Sequence, residues 1–195
     1  MILDPQTTAF VFPGQGSQVV GMGRALAEGD PEAAAVFRQA EEILETPLRH
    51  ICWYGPADVL DDTLNTQPAL LTHSVAVLLA LKARFPKLRP AFAAGHSLGE
   101  FSALVAAGAV SSPHALRLVR ARGQAMKSAG EGSPGGMAAV WGLDAAEVEA
   151  VCREVSGADA TVQLARARAS RSTRQYREGP VFIVAPQGPH PLVAC

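Results

Sequence analysis

A serine between two glycines is the pattern in this sequence that could carry out covalent chemistry. Ser97 lies in the stretch AGHSLGEFS, with Gly95 two residues before it and Gly99 two residues after it. This Gly-x-Ser-x-Gly spacing is typical of a nucleophile elbow, a strained turn that exposes the serine hydroxyl above a sheet. Glycines are expected on both sides because the neighbouring segments approach too closely for a Cβ atom. The pattern therefore predicts that Ser97 is a nucleophile.

The elements on either side of Ser97 favour that interpretation. Residues 91–94 are predicted as a short strand, and residues 98–107 as a helix that follows almost at once. The free N–H groups at the start of this helix would point at whatever Ser97 attacks, and such donors stabilise a developing oxyanion. The alternative is a chance glycine pattern in a chain rich in alanine and glycine.

Strands and helices alternate through the first 130 residues. The predicted elements are a strand over 8–12 that stops at the turn PGQGS, and helices over 32–44, from about 67 to 83, and from 112 to about 129. Asp30 and Pro31 predict the start of the first of these helices. This alternation predicts a parallel α/β layer structure.

Glycines separate the rest of the chain from this part. Residues 130–136 contain four glycines and one proline, which predicts a boundary. We expect an α/β core over residues 1–130, a small second unit over 136–164 and a divergent, disordered tail over 165–195. Asp144 and Glu147 predict a capping box in the second unit. The tail has an arginine-rich run, for which a basic patch for nucleic acid or a phosphorylated partner is the alternative interpretation.

Composition limits the function classes. Apolar residues make up 48% and charged residues 18%, which predicts a globular chain. The 17 basic and 18 acidic residues nearly cancel, so we expect neither nucleic acid nor a membrane surface as a partner. Three widely spaced cysteines indicate free thiols in a reducing cytoplasm and no metal framework. We find no signal peptide, and the most apolar window, residues 69–83, is shorter than a membrane span.

Several segments resemble the malonyl-CoA:acyl-carrier-protein transacylase family in order and spacing. The segments are FVFPGQGSQVVGMGRAL, AGHSLGEFSALVAAGAV and RLVRARGQAM, and the resemblance covers about residues 7–157. It implies an α/β-hydrolase-like parallel-sheet core with an inserted ferredoxin-like small subdomain, incomplete at the C-terminal end. It also implies transfer of a malonyl group from coenzyme A to the phosphopantetheine thiol of acyl carrier protein, through a seryl ester, in fatty-acid synthesis. No cofactor and no metal are expected, since the coenzyme A thioester is a substrate.

The resemblance implies roles for single residues. Ser97 matches the nucleophile, and the backbone N–H groups of Gln15 and Leu98 match the oxyanion hole. Arg122 matches the arginine that holds the free carboxylate of malonate, which a planar guanidinium can bind with two parallel hydrogen bonds. His96 matches a residue that supports the elbow, and Gln67 matches a position near the pocket.

Three of these roles have a simpler alternative. The PGQGS loop is also consistent with a plain tight turn, and Gln67 with a residue at a helix start. Arg122 could lie with Arg117 and Arg120 on a solvated helix face.

The end of the chain departs from the family pattern. The family's histidine base lies further beyond the nucleophile than this chain continues after Ser97, and His190 is the candidate in its place. We interpret the tail as a truncated or frame-shifted end. A serine hydrolase or thioesterase, and a non-catalytic fragment, are the alternative functions. We expect a cytoplasmic monomer, with malonyl-CoA and acyl carrier protein as partners, and the choice between malonyl and methylmalonyl stays open.

Overall fold

The computed structural model describes residues 8–88, 90–132, 135–140, 142–157, 162–165 and 181–186. Within these ranges the chain is a mixture of helices with one small parallel sheet and one small antiparallel sheet. The chain divides into two compact units, residues 1–127 and residues 128–195. The three-part division expected from the sequence stays a prediction.

The first unit holds two short strands and most of the helices. The strands are β1 (Ala9–Phe12) and β2 (Phe92–Gly95). The helices are α1 (Arg24–Gly29), α2 (Pro31–Leu44), α3 (Leu48–Tyr54), α4 (Ala57–Asp61), α5 (Thr63–Arg84), α6 (Gly99–Ala106) and α7 (Ser112–Gly132), the last of which ends in the second unit. The sequence did not predict the short helices α1, α3 and α4.

α2 begins where the sequence predicted because Asp30 caps it. The Asp30 carboxylate accepts hydrogen bonds from the backbone N–H groups of Glu32 at 2.8 Å and Ala33 at 3.0 Å. Pro31 takes the first helical position, where an N–H would have no helical acceptor. The helix packs against α5, and Phe37 is fully buried in the core that the two helices share.

The longest helix, α5, begins earlier than the sequence predicted. The prediction placed its start near Gln67 and Pro68, with Thr66 as the capping residue. In the structure Asp62 caps the helix, and its carboxylate accepts from the Leu64 N–H at 2.9 Å. Pro68 therefore lies inside the helix and has no N–H for the Leu64 carbonyl four residues earlier. Arg120 of α7 donates to that carbonyl at 2.7 Å and replaces the missing hydrogen bond.

By length and composition alone, α5 could cross a membrane. However, 61% of its most apolar window is buried inside the molecule. A helix that is apolar on most sides and covered by its own chain is typical of a globular core. We therefore interpret α5 as the central core helix of the first unit.

The parallel sheet brings two strand ends together. Its register pairs Ala9 with Phe92 and Phe12 with Gly95. α6 packs against both strands, and the His96 N–H, directly after β2, donates to the Phe12 carbonyl at 3.1 Å. The loops that follow β1 and β2 consequently meet at the carboxyl edge of the sheet, which is where α/β folds bind ligands.

The second unit contains the antiparallel sheet and α8 (Ala145–Val155). Its strands are β3 (Gly135–Val140), β4 (Gln163–Ala165) and β5 (Val181–Pro186), in the order β3-β5-β4. The predicted capping box of α8 is confirmed. The Asp144 carboxylate accepts from the Glu147 N–H at 2.9 Å, and the Glu147 carboxylate accepts from the Asp144 N–H at 2.8 Å.

β5 is the main difference between the expected and the observed secondary structure. Its six residues lie in the segment 165–195, which the sequence predicted as a disordered tail, yet they pair with both β3 and β4. The run VFIVAP is rich in β-branched residues, which suits a central strand. Its partners are distant in sequence, so a local pattern could not reveal the pairing. Apart from β5 and Ala165, the predicted tail lies outside the described residues.

Candidate active site

The predicted nucleophile elbow is formed at Ser97. This residue has a φ of 53°, in the left-handed region that residues with a Cβ seldom adopt. The turn is closed by hydrogen bonds from the Gly99 N–H to the His96 carbonyl at 2.8 Å and from the Glu100 N–H to the Ser97 carbonyl at 3.2 Å. Strand β2 ends at Gly95 and α6 begins at Gly99, so the strand–turn–helix context is present.

The glycines around Ser97 are required by close backbone contacts. A Cβ atom on Gly95 would overlap the carbonyl group of Gly99, and a Cβ atom on Gly99 would overlap the carbonyl oxygen of Phe12 at the end of β1. The expectation that these positions exclude a side chain is therefore confirmed. The contacts pack the first turn of α6 directly onto the ends of both strands.

The PGQGS loop after β1 lies against the elbow. A Cβ atom on Gly14 would lie 2.6 Å from the His96 carbonyl oxygen and 2.7 Å from His96 Nδ1. The Ser17 hydroxyl donates to the Gly14 carbonyl at 2.7 Å, and Gln18 Nε2 donates to Asp61 Oδ1 at 2.7 Å. The loop is thus fixed by its own turn and by the end of α4.

Two backbone donors near the elbow have no acceptor among the residues that the structure describes. Within residues 8–88 and 90–132, no acceptor is found for the N–H of Gln15 or of Leu98. Leu98 is fully buried and precedes α6, where helix N–H groups are free and the helix dipole is positive. Free donors in this position suit a developing oxyanion, and their role as an oxyanion hole stays a prediction.

The structure brings Ser97, Gln67 and Arg122 together from three separate elements. Arg122 Nη2 donates to Ser97 Oγ at 2.9 Å, and Arg122 Nη1 donates to Gln67 Oε1 at 2.8 Å. The guanidinium therefore lies directly beside the candidate nucleophile. A short acyl group on Ser97 that ends in a carboxylate would place that carboxylate within reach of the same guanidinium.

The three arginines of α7 have different surroundings. Arg117 is exposed, Arg120 donates to the α5 backbone, and Arg122 faces the serine. The alternative of a shared solvated face is thus wrong for Arg120 and Arg122. Gln67 is likewise fully buried inside α5 rather than at a helix start.

No hydrogen bond between a histidine side chain and Ser97 Oγ is found in the described ranges. Arg122 is the hydrogen-bond partner found there for Ser97 Oγ, and neither an imidazole nor a carboxylate is bonded to it. The His96 backbone closes the elbow on both sides, while its proposed supporting role stays a prediction. His190 lies outside the described residues.

Other reactive groups lie away from this site. Burial raises the pKa of the Cys52 thiol to about 12, with a smaller contribution from Glu41, so the thiol stays protonated and unreactive. A cleft of about 310 Å³ between β1 and α5 is lined by His73 but not by Ser97 or Arg122. Burial lowers the pKa of His73. No group of three potential metal ligands occurs among the described residues.

Sequence reasoning missed three residues that hold this arrangement. Thr63 and Met126 contact the side-chain amide of Gln67, and a Cβ atom on Gly123 would lie 2.9 Å from the Thr63 carbonyl oxygen. All three act between α5 and α7, which are far apart in sequence. The glycine next to the candidate arginine in RARGQ was the one local signal of a close helix contact.

Comparisons with known sequences identify the family to which the chain is similar. The family profile described as acyl transferase domain matches residues 9–177. The malonyl CoA-acyl carrier protein transacylase of Bacillus subtilis (strain 168) is 49% identical over 157 residues, which cover 80% of this chain and 49% of that protein. The protein of the same name from Haemophilus influenzae is 45% identical over 146 residues, covering 75% and 47%. The chain therefore spans about half the length of these curated relatives.

Solved structures give the same result. The malonyl CoA-acyl carrier protein transacylase from Coxiella burnetii has a TM-score of 0.80 and 39% identity, covering 93% of this chain and 54% of that chain. A malonyl-transacylase solved in complex with a type II PKS acyl-carrier protein has a TM-score of 0.77 and 37% identity, covering 91% and 54%. Each of these two likenesses covers more than nine-tenths of this chain and just over half of the solved chain.

Proposed function

Since the chain belongs to the acyl transferase domain family, we propose that it moves a malonyl group from coenzyme A to the phosphopantetheine thiol of acyl carrier protein. The observation that carries the proposal is the hydrogen bond of 2.9 Å from the Arg122 guanidinium to Ser97 Oγ. It supports the proposal because a guanidinium, which binds carboxylates well, lies beside a serine in an elbow. The names of the similar transacylases, and the solved complex of one with its acyl-carrier protein, support the same substrate and partner.

The reaction proceeds in two half-reactions through a seryl ester. Ser97 Oγ attacks the thioester carbonyl of malonyl-CoA, and the backbone N–H groups of Gln15 and Leu98 bind the resulting oxyanion. A general base takes the Ser97 proton and returns it to the departing coenzyme A sulfur, with His190 as the candidate. The thiol of acyl carrier protein then attacks the ester, and Ser97 is regenerated.

Arg122 selects the acyl group. Its two Nη atoms contact Ser97 and Gln67, so the guanidinium already faces the space that the acyl chain enters. When Ser97 is acylated, the malonyl carboxylate replaces the hydroxyl as the acceptor and forms a charge-assisted bond. An acetyl group has no carboxylate and gains nothing from this cation. The site therefore favours malonyl over acetyl.

We also propose that the two sheets belong to the fold that the sequence predicted. Strands β1 and β2, with the elbow between β2 and α6, form the start of an α/β-hydrolase-like core. The antiparallel strands with α8 form part of a ferredoxin-like subdomain. The chemistry is acyl transfer between thioesters and needs no cofactor. We propose a cytoplasmic, monomeric protein of fatty-acid synthesis.

The intact mass of the chain after mixing with malonyl-CoA tests the proposal. We expect one malonyl adduct on the native chain and none on Ser97→Ala, because the ester requires the hydroxyl. An adduct that accumulates and then passes to acyl carrier protein indicates a transferase, whereas rapid release to water indicates a hydrolase. A malonyl adduct on Ser97→Ala at the native level would contradict the assignment of the nucleophile.

A further inference from the structure

A continuous series of side-chain hydrogen bonds joins the PGQGS loop to Ser97. Thr63 Oγ1 donates to Gln15 Oε1 at 3.3 Å, and Gln67 Nε2 donates to Thr63 Oγ1 at 2.9 Å. Gln67 Oε1 accepts from Arg122 Nη1 at 2.8 Å, and Arg122 Nη2 donates to Ser97 Oγ at 2.9 Å. The series thus runs through the loop, α5, α7 and the elbow.

The directions of the bonds around Gln67 are fixed by chemistry. A guanidinium has donors only, so the atom of Gln67 that faces Arg122 must be the amide oxygen. The amide nitrogen then faces the other way and donates to Thr63 Oγ1 and to Met126 Sδ, the latter at 3.2 Å. A hydroxyl has one proton, and Thr63 directs it to Gln15 Oε1.

Thr63 supplies the stronger of the two acceptors for the Gln67 amide nitrogen. Gln67 is fully buried, so no solvent can replace a lost partner. Thioether sulfur accepts hydrogen bonds weakly, so Met126 alone cannot hold the nitrogen on its side. Without the Thr63 hydroxyl the amide nitrogen keeps only this weak acceptor, so the Gln67 side chain is held less firmly. The Arg122 guanidinium that bonds to Gln67 Oε1 is then held less firmly beside Ser97.

We propose that Thr63 is a positioning residue, which holds Arg122 beside Ser97 by fixing the orientation of the Gln67 amide. The position of Arg122 follows from these hydrogen bonds alone. The effect of Thr63 on the choice of acyl group rests on the proposed function. Thr63 also bonds to Gln15, whose N–H is one of the two candidate oxyanion donors. The Thr63 hydroxyl therefore connects the PGQGS loop with the Gln67–Arg122 pair.

The test compares three substitutions in α5. Thr63→Val keeps the shape and removes the hydroxyl, while Thr63→Ser keeps the hydroxyl. Thr72→Val is the matched control, because the buried Thr72 hydroxyl has no hydrogen-bond partner within the described part of the chain. Thr63→Ala serves as a second hydroxyl-free variant if the valine is not accommodated.

The first readout is the ratio of the rates at which malonyl-CoA and acetyl-CoA acylate Ser97. We expect Thr63→Val to lower this ratio about tenfold, the effect of one hydrogen bond to a buried polar group. Thr63→Ser and Thr72→Val should keep the native ratio. A general loss of folding would lower both rates together and leave the ratio unchanged. An unchanged ratio in folded Thr63→Val would overturn the proposal.

The second readout is the side-chain NMR signal of Arg122, assigned with Arg122→Lys. We expect slow hydrogen exchange of its guanidinium protons in the native chain and in Thr63→Ser, and fast exchange in Thr63→Val. Equal exchange in the native chain and Thr63→Val would refute the positioning role. This readout needs no substrate, so it still decides the role of Thr63 if no variant is acylated, a result that would contradict the proposed function instead.

Discussion

At the scale of the residue, the site is defined by a cation and a hydroxyl that lie in hydrogen-bond contact. Ser97 adopts a left-handed backbone conformation that turns its hydroxyl towards α7, where Arg122 donates to it at 2.9 Å. Glycine at positions 95 and 99 permits this conformation by removing two Cβ atoms that would overlap backbone carbonyls. We propose that the same guanidinium binds the carboxylate of the acyl group, because its planar fork suits that group.

Replacing the guanidinium of Arg122 should affect the rate of acylation by malonyl-CoA more than the rate of acylation by acetyl-CoA. We predict that Arg122→Ala slows acylation by malonyl-CoA by about 2–3 kcal/mol in activation free energy, the value of a charge-assisted pair in a partly buried site. Acylation by acetyl-CoA should change little. Both rates are measured by mass spectrometry of the adducts in samples quenched at successive times.

The matched control is Arg117→Ala, which removes an exposed arginine from the same helix. It should leave both rates at the native level. Equal losses for malonyl and acetyl in Arg122→Ala would mean that Arg122 supports the structure and does not select the acyl group.

The sequence predicts those parts of the site that are local. Gly95, Ser97 and Gly99 form a short pattern whose geometry follows from the pattern itself, and the structure reproduces it. The role of Thr63 could not be predicted because it depends on α7, which begins about fifty residues later in the sequence. Hydrophobic periodicity describes single elements and does not show which distant elements pack together.

At the scale of the element, the site depends on how α7 packs on the first turns of α5. Arg120 donates to the Leu64 carbonyl, Lys127 pairs with Asp62 at 2.7 Å, and Gly123 lies against the Thr63 carbonyl. These contacts fix the rotation of α7 about its axis and its position along that axis. As a result, the Arg122 side chain lies beside Ser97.

Gly123 allows the close approach of the two helices. A Cβ atom there would lie 2.9 Å from the Thr63 carbonyl oxygen, so backbone must shift to admit it. We predict that Gly123→Ala lowers the free energy of unfolding by about 1–3 kcal/mol, as overpacking does. Because the shift moves Arg122, it should also lower the preference for malonyl over acetyl. Urea denaturation and adduct rates measure the two effects.

Gly130 provides the control in the same helix. A Cβ atom on Gly130 would meet no atom of the described residues within 4 Å. Gly130→Ala should therefore be neutral or stabilise the chain by about 0.4–1 kcal/mol, since alanine loses less backbone entropy in a helix. If the two substitutions behave alike, close packing at Gly123 does not position Arg122.

The cap of α5 should make stability depend on pH. The hydrogen bond from Lys127, with a second from the Leu64 N–H, lowers the pKa of Asp62 below its ordinary value of 3.8. A carboxyl with a lowered pKa in the folded state stabilises the fold above its ordinary pKa, and the effect is lost as pH falls through the folded value.

Asp62→Asn tests this pH dependence because asparagine also caps helices and only the charge is lost. We expect a loss of at most about 1 kcal/mol at neutral pH, since both partners are partly exposed. The difference in the free energy of unfolding between Asp62→Asn and the native chain should disappear as pH falls below 3.8. Unfolding free energies measured across that range would contradict the account if the difference stayed constant.

The start of α5 shows why element bounds could be predicted only in part. Proline at position 68 favours a helix start nearby, but the structure begins the helix at Thr63. The lost backbone bond is replaced by Arg120, a residue from another helix. By contrast, Asp30 and Asp144 cap their helices with atoms two or three residues away, and both starts were predicted.

At the scale of the whole molecule, the chain joins two units with different sheets. The first holds the parallel strands and every residue of the proposed site in the described ranges, and the second holds the antiparallel strands. The alternation of elements predicted the first unit in outline. The pairing of β5 was missed because strand register across a long connection follows from packing rather than from local pattern.

The most direct test of the central claim is a competition between the two acyl donors. The chain is mixed with equal amounts of malonyl-CoA and acetyl-CoA, digested, and the peptide that contains Ser97 is examined by mass spectrometry. We predict that malonyl predominates over acetyl on Ser97, and that Arg122→Ala removes this preference. Equal labelling by the two donors in the native chain, or malonyl attached to a different residue, would contradict the account.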